Sequence, residues 1–330
     1  MARILLVCLL WFSAGVVSPL LAQGDQAPLT ARGDWSADTR SGWWDDTERR
    51  IQLNMRTDTD GNWGSGVRVS ELDGLPAAAL SGVAADVRFS WTREAGVFKF
   101  QGSFDAGRGN GSFTFAANPA FVSAMAGLGY RNLSADSLLR LALIDVTQAY
   151  TRSLRDQGYS AVALDDLVRM RIHRVSAEEI GQLAALGYKA LDPDELIKFR
   201  IHKVTPEFIR GLNERSYRGL LAGDFVKMKI HKVSLQEIDA LKALGYGGLL
   251  SDELVKLRIH KVTPEFIRSI HDAGFKTISI EYLVKMRIHK VDAQFIRDLQ
   301  ADGYRNLSAG DVIDLAIRGP RFSRVKRSPV

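Results

Sequence analysis

Seven aromatic residues keep one phase through the second half of the chain. Tyr130, Tyr159, Tyr188, Tyr217, Tyr246, Phe275 and Tyr304 stand 29 residues apart with no insertion, and all but Tyr217 follow a glycine. A fixed period of this length means a stacked array of one supersecondary unit. Strict phase excludes any fold whose elements differ in length from one unit to the next.

Each unit holds two helical patterns. From Tyr188, the run Asp192-Pro193-Asp194-Glu195 is a helix start, with proline in the first turn and acids at the positive end of the dipole. Leu196, Ile197, Phe199 and Ile201 form its apolar side, and Lys198, Arg200, His202 and Lys203 end it. Thr205-Pro206-Glu207 then caps a second helix carrying Phe208, Ile209 and Leu212. Glycine before the aromatic suits the left-handed position that closes a helix, and Ser216 is the exception. Capping boxes are expected at Ser176/Glu179 and Ser234/Glu237. Helices this short are marginal alone and need neighbours to bury their stripes. The segment RIHKVTPEFIR occurs at 200–210 and again at 258–268, which implies duplication or an alternating packing register.

The first half changes period. Ile51, Leu53 and Met55, then Val87, Phe89 and Trp91, then Phe98, Phe100 and Phe104, and finally Phe113 and Phe115 alternate with polar residues. Such runs, bounded by Gly and Asn, predict hairpins. Five or six antiparallel strands are expected, with a Gly-rich turn over 107–111 and Trp43 and Trp44 over the open side. The aromatic stripe reads as core rather than as a carbohydrate platform. The fold class is therefore α+β: a small antiparallel meander or sandwich over 43–120, then an α-helical array over 121–318, each with its own core. The change falls at Asn118-Pro119, because proline disfavours helix at the residue before it. Residues 23–42, rich in Gly, Asp, Ser and Ala, read as a linker, and its Arg32-Gly33-Asp34 as a chance tripeptide.

At the start, Met1-Ala2-Arg3 precedes the apolar run Ile4–Ala22, which reads as an export signal over 1–22 cleaved after Ala22. Left uncleaved, it would serve as an N-terminal anchor. Cys8, the single cysteine, lies inside that run, so the remaining chain has no disulfide or thiolate chemistry. The end, 319–330, is a basic tail without pattern.

His173, His202, His231, His260 and His289 recur once per unit. Stacked helices lie about 8–10 Å apart, and zinc needs all its ligands about 2 Å from one ion, so one histidine per layer predicts no metal site. Three cations per unit flank these histidines: Arg169, Arg171 and Arg174, then Lys198, Arg200 and Lys203, then Lys227, Lys229 and Lys232. Lys256, Arg258 and Lys261 follow, and last Lys285, Arg287 and Lys290. In register they would draw a basic ridge, whose candidate partner- or anion-binding residues are Arg171, Arg200, Lys229, Arg258 and Arg287 with the five histidines. Their position at helix C-termini is also what a macrodipole favours.

The unit V-[TS]-P-E-F-I-R-x-L-x-x-x-G-Y-x-x-L-[SD]-x-[DE]-[EL]-L-V-K-x-[RK]-I-H resembles a tandem repeat of exported or membrane-linked bacterial proteins. It is similar to repeats behind the zinc metallopeptidase domain of some antirepressor-type sensor peptidases. The resemblance covers 121–318 and is strongest over 176–300. The stretch VRFSWTREAGVFKFQGSFDAGRGNGSFTF resembles a segment that often precedes such repeats. HExxH and a multi-span membrane domain are missing, so the resemblance does not carry peptidase activity to this chain.

No phosphate-binding loop, nucleophile elbow or deaminase signature occurs. The acids Asp45, Asp46 and Glu48 read as a solvated run. A non-enzymatic exported scaffold with a protein partner and no cofactor is the expectation. Binding of an acidic polymer, polysaccharide or nucleic acid, through ridge and tail comes second.

Overall fold

The computed structural model describes residues 29–39, 49–59 and 61–319. The apolar run expected to be an export signal, Trp43, Trp44, Asp45, Asp46, Glu48 and the basic tail from 320 onward lie outside them. The described residues form a curled antiparallel sheet followed by a helical array.

The sheet has seven strands: β1 (Thr30–Asp38), β2 (Arg50–Thr57), β3 (Asn62–Arg68), β4 (Leu72–Asp73), β5 (Ala85–Arg93), β6 (Gly96–Asp105) and β7 (Arg108–Ala117). Their order is β3-β2-β1-β7-β6-β5-β4, so the first strand closes against the last. A short helix, α1 (Ala77–Ser81), lies between β4 and β5.

β1 corrects the linker reading of 23–42. Ala31, Gly33, Trp35 and Ala37 do alternate inward, but three of the four are too small to register as an apolar pattern. Gly33 is required there, because a Cβ would sit 1.9 Å from the Arg56 carbonyl oxygen. Arg32-Gly33-Asp34 is thus part of a central strand paired on both sides. The Gly-rich turn is also shorter than expected. Ala106 and Gly107, both at positive φ, make the connection between β6 and β7, whereas Gly109 and Gly111 belong to β7. This is the two-residue hairpin that matches strand twist.

The aromatic stripe is core. Phe89 and Phe100 stack at 4.6 Å, Trp35 meets Phe89 edge-on at 5.4 Å, and all three are buried. The Trp35 indole N–H donates to the Gln101 carbonyl at 3.1 Å, which satisfies the one polar atom of that ring.

Fourteen helices follow β7. Seven begin at Pro119 and every 29 residues after it: α2 (Pro119–Gly127), α4 (Gln148–Asp156), α6 (Ala177–Ala185), α8 (Pro206–Glu214), α10 (Leu235–Ala243), α12 (Pro264–Asp272) and α14 (Ala293–Ala301). The other seven keep the same pitch from Ala135: α3 (Ala135–Ile144), α5 (Leu164–Ile172), α7 (Pro193–His202), α9 (Ala222–Ile230), α11 (Ser251–Ile259), α13 (Ile280–Ile288) and α15 (Ala309–Arg318). Even helices pack on even, and odd on odd, in two layers. Every even helix is capped by a side-chain oxygen: Asn118, Thr147, Ser176, Thr205, Ser234, Thr263 or Asp292.

The strand-to-helix change falls at Asn118, yet the cores are not separate. Phe121 and Met125 of α2 are fully buried, α3 packs on β1, β6 and β7, and one apolar core runs from Trp35 to Leu315. An aromatic sheet face this large needs a cover, and the first repeat supplies it. No helix among the described residues is long and apolar enough to cross a membrane.

Candidate partner-binding edge

The odd helices end along one edge, and five of them, α5, α7, α9, α11 and α13, end in the sequence cation-Ile-His-cation. The two cations of that motif have different fates.

The first cation, at Arg171, Arg200, Lys229, Arg258 and Arg287, is a staple between units. Each meets the side chain 21 residues earlier, in the first turn of the preceding even helix. Where that side chain is an acid, an ion pair forms: Arg200 to Glu179 at 3.3 Å and Arg258 to Glu237 at 3.5 Å. Where it is aromatic, the cation lies over the ring: Arg171 on Tyr150 at 5.2 Å, Lys229 on Phe208 at 4.7 Å, Arg287 on Phe266 at 4.8 Å. Arg200 and Arg258 also donate from Nε to the carbonyls of His173 and His231, both at 3.1 Å. The ridge proposed for these five residues is therefore spent on packing. Alternation of acid and aromatic also accounts for the identical segments two units apart, since RIHKVTPEFIR carries both an acid-reading arginine and a phenylalanine for the next cation.

These staples displace one sequence expectation. Ser176 accepts from the Glu179 amide at 3.1 Å, but the Glu179 carboxylate turns to Arg200 instead of completing a capping box. An arginine offers the carboxylate a full opposite charge as well as N–H donors, which a backbone amide does not. Burial holds the Glu179 and Glu237 carboxyls above the usual carboxylate range, and the paired arginines pull them part of the way back.

An outer cation ladder works beside the staples. Arg140 pairs with Asp165 at 2.5 Å, Arg169 with Asp194 at 2.6 Å, and Lys227 with Asp252 at 2.7 Å, each reaching the next odd helix.

The second cation of the motif has no such partner. Arg174, Lys203, Lys232, Lys261 and Lys290 are exposed, and none forms an ion pair among the described residues. All five adopt left-handed backbone, with φ between 56° and 58°. That conformation costs a residue with a Cβ about 1–2 kcal/mol.

Between the two cations stand isoleucines that also correct the sequence reading. Ile201 was assigned to the apolar side of its helix, but it is 51% exposed. Ile172, Ile230, Ile259, Ile288 and Ile317 are exposed to the same degree, between 50% and 56%, and all lie in the 29-residue phase. At 3.6 residues per turn this position lies well away from the centre of the face set by buried Leu196, Ile197 and Phe199, so it faces out. The sequence signal was there: apolar side chains already filled the inward positions, and a further one recurred without need.

His173, His202, His231 and His260 are half-buried between these rows, and His289 is exposed. They do not converge, and no group of three or more metal-binding side chains occurs among the described residues. Hollows lie between successive units on this edge. One of about 680 Å³ includes Ile172, Arg171 and Arg174 in its wall. Another of about 450 Å³ is lined by Arg258, Lys261, Thr263, Phe266 and Arg287. The edge thus combines periodic apolar side chains, periodic unpaired cations and recesses, on a backbone fixed by inter-unit staples. No protein-family model matches the chain, and no curated protein matches it.

Proposed function

We propose that this chain is a non-enzymatic exported scaffold whose array binds a protein partner along the edge formed by the odd-helix C-termini. One observation carries the reading: six half-exposed isoleucines in a single 29-residue phase. Fully burying a side chain of this size yields about 1.5–3 kcal/mol. Six half-exposed copies therefore hold several kcal/mol for a partner that covers them. A β-branched residue has no helix-forming advantage at an exposed position, so packing and propensity leave the repetition unexplained. The apolar run Ile4–Ala22 supports export.

The test compares the full chain with the triple variant Ile201→Ser, Ile230→Ser, Ile259→Ser in crosslinking capture from envelope extract. Proteins captured by the parent and lost from the variant, with helix content unchanged by circular dichroism, are the expected result. Capture that does not depend on the isoleucines would overturn the reading. A second reading, binding of an anionic polymer, draws on the five unpaired cations. It requires association that falls steeply with salt and does not need the isoleucines.

A further inference from the structure

A left-handed residue follows each of the two helices of a unit, and the two positions are filled differently; a third, two residues after the aromatic, occurs in five units at Asn132, Ala190, Gly219, Gly248 and Asn306. After the even helices the residue is glycine in six units: Gly129, Gly158, Gly187, Gly245, Gly274 and Gly303. After six of the seven odd helices it is not glycine: Asp145, Arg174, Lys203, Lys232, Lys261 and Lys290 occupy the equivalent positions, and only the last, α15, is followed by glycine, Gly319. The same backbone demand is met without strain on one side and with strain on the other. Cations one turn earlier, such as Arg169 and Arg171, already face the helix dipole. The strained cations are thus retained for their outward charge, and each stands two residues beyond an exposed isoleucine.

We infer that the occupant of this edge is an extended acidic polypeptide segment, with carboxylates meeting Arg174, Lys203, Lys232, Lys261 and Lys290 and apolar side chains lying on the isoleucine row. The inference rests on the protein-partner reading. Charge complementarity sets the sign of the ligand, and the isoleucines favour a peptide over a polysaccharide or a nucleic acid. Spacing sets its form. Packed helices repeat every 8–10 Å, and an extended chain in the polyproline II form rises about 3.1 Å per residue with three residues per turn, so one unit corresponds to about three residues and returns to the same face. A segment with an acid at every third position would place one carboxylate at each cation. Bidentate arginine geometry is not needed, since four of the five cations are lysines that act as point charges.

The probe is a fluorescent 21-residue peptide of seven Asp-Val-Gly triplets, measured by anisotropy against the full chain. A control peptide has the same composition with its acids gathered in one block. Vesicles of phosphatidylglycerol and phosphatidylcholine, and heparin, test the other anionic surfaces. The array variant is Lys203→Gly, Lys232→Gly, Lys261→Gly. Glycine relieves the strained backbone, so this variant is expected to keep or raise Tm while binding the triplet peptide at least tenfold more weakly. A purely structural role for the lysines predicts the opposite pair of results. The triplet peptide is expected to bind at least tenfold more tightly than the blocked one. Equal binding of the two peptides, or tighter binding to vesicles or heparin, would overturn the inference. If isoleucine-dependent capture persists when the triplet preference fails, the scaffold reading stands and the acidic-segment inference alone falls. If both fail, the edge is not a protein-binding surface.

Discussion

Arg171 holds Asp145 twice, donating from Nε to its carbonyl at 2.9 Å and from Nη2 to its carboxylate at 2.8 Å. The same carboxylate lies 3.6 Å from Arg93 of β5, whose other nitrogen meets Glu71 at 3.0 Å. Four charged side chains from sheet and array thus form one junction. Arg171→Lys removes the two-point grip. A charge-assisted bond contributes about 1.5–3 kcal/mol, and partial exposure of both side chains reduces this, so a loss of about 1 kcal/mol is expected by urea unfolding. An unchanged midpoint would show that the junction does not stabilise the fold.

In three units, at Tyr130, Tyr159 and Tyr246, a tyrosine hydroxyl ties the unit to the next. Tyr130 donates to the Val162 carbonyl at 2.9 Å, and Tyr246 to that of Ile278 at 2.8 Å, each 32 residues ahead. Phe275 holds the same position without a hydroxyl. Tyr246→Phe should cost about 1 kcal/mol, and Phe275→Tyr should gain a comparable amount by reaching the Leu307 carbonyl. Thermal unfolding of the two variants checks both directions.

Tyr150 is the opposite case. Its hydroxyl is buried with no hydrogen-bond partner among the described residues, and its pKa is pushed up to about 12, chiefly by burial, with the Arg171 cation acting against it. Leaving a buried polar atom unsatisfied costs about 1–3 kcal/mol. Tyr150→Phe keeps the ring under Arg171 and should leave the protein as stable or more so by up to about 1 kcal/mol. A clear loss in Tm would mean that the hydroxyl has a partner in solution.

Ser216 takes φ of 71° where six other units use glycine. Ser216→Gly should stabilise the array by up to about 1 kcal/mol, because the strain removed exceeds the extra freedom glycine brings to the unfolded chain. Differential scanning calorimetry would register this as a higher Tm.

Glu179 and Glu237 give a pH signature. Burial raises both carboxyls above 4.5 in the folded chain, so the fold prefers their protonated forms. Their contribution to stability is full below about 4.5 and is lost as pH rises through the raised values. The double variant Glu179→Gln, Glu237→Gln should show a flatter stability profile than the parent from neutral pH down to about 4.5. The exposed acids Glu207, Glu265 and Glu281, which are held below 4.5, act at lower pH. Parallel profiles for parent and variant would rule out this role.

Local chemistry was legible in the sequence, and non-local chemistry was not. Capping oxygens from Asn118 to Asp292 and the glycines before the aromatics mark both helices of every unit, because each acts within a few residues. β1 stayed hidden because its inward residues are mostly Ala and Gly, whose place is set by Arg56 on another strand. The exposure of Ile201 depends on which positions of its helix the neighbouring units cover, Leu196, Ile197 and Phe199. The fate of Arg200 is decided by Glu179, which is 21 residues away on a helix of the other layer. The cations expected as a ridge contact side chains of the other layer for that reason, and the cations and isoleucines beside them stand exposed.

From α5 onward, the two interactions that link the stack alternate in step; the α3–α5 joint departs from this, with an outer ion pair beside a cation on a tyrosine ring. The α5–α7 and α9–α11 joints each have an outer ion pair and an arginine on a buried acid, whereas the cations at the α7–α9 and α11–α13 joints rest on phenylalanine rings. Mechanically, this is a chain of unequal links, and links of the weaker kind are natural fracture planes. In a stack where each unit touches only its neighbours, breathing motions should open at those planes first. Amide exchange would then release protection in blocks of two units, so that the cooperative length of the array is twice its sequence period.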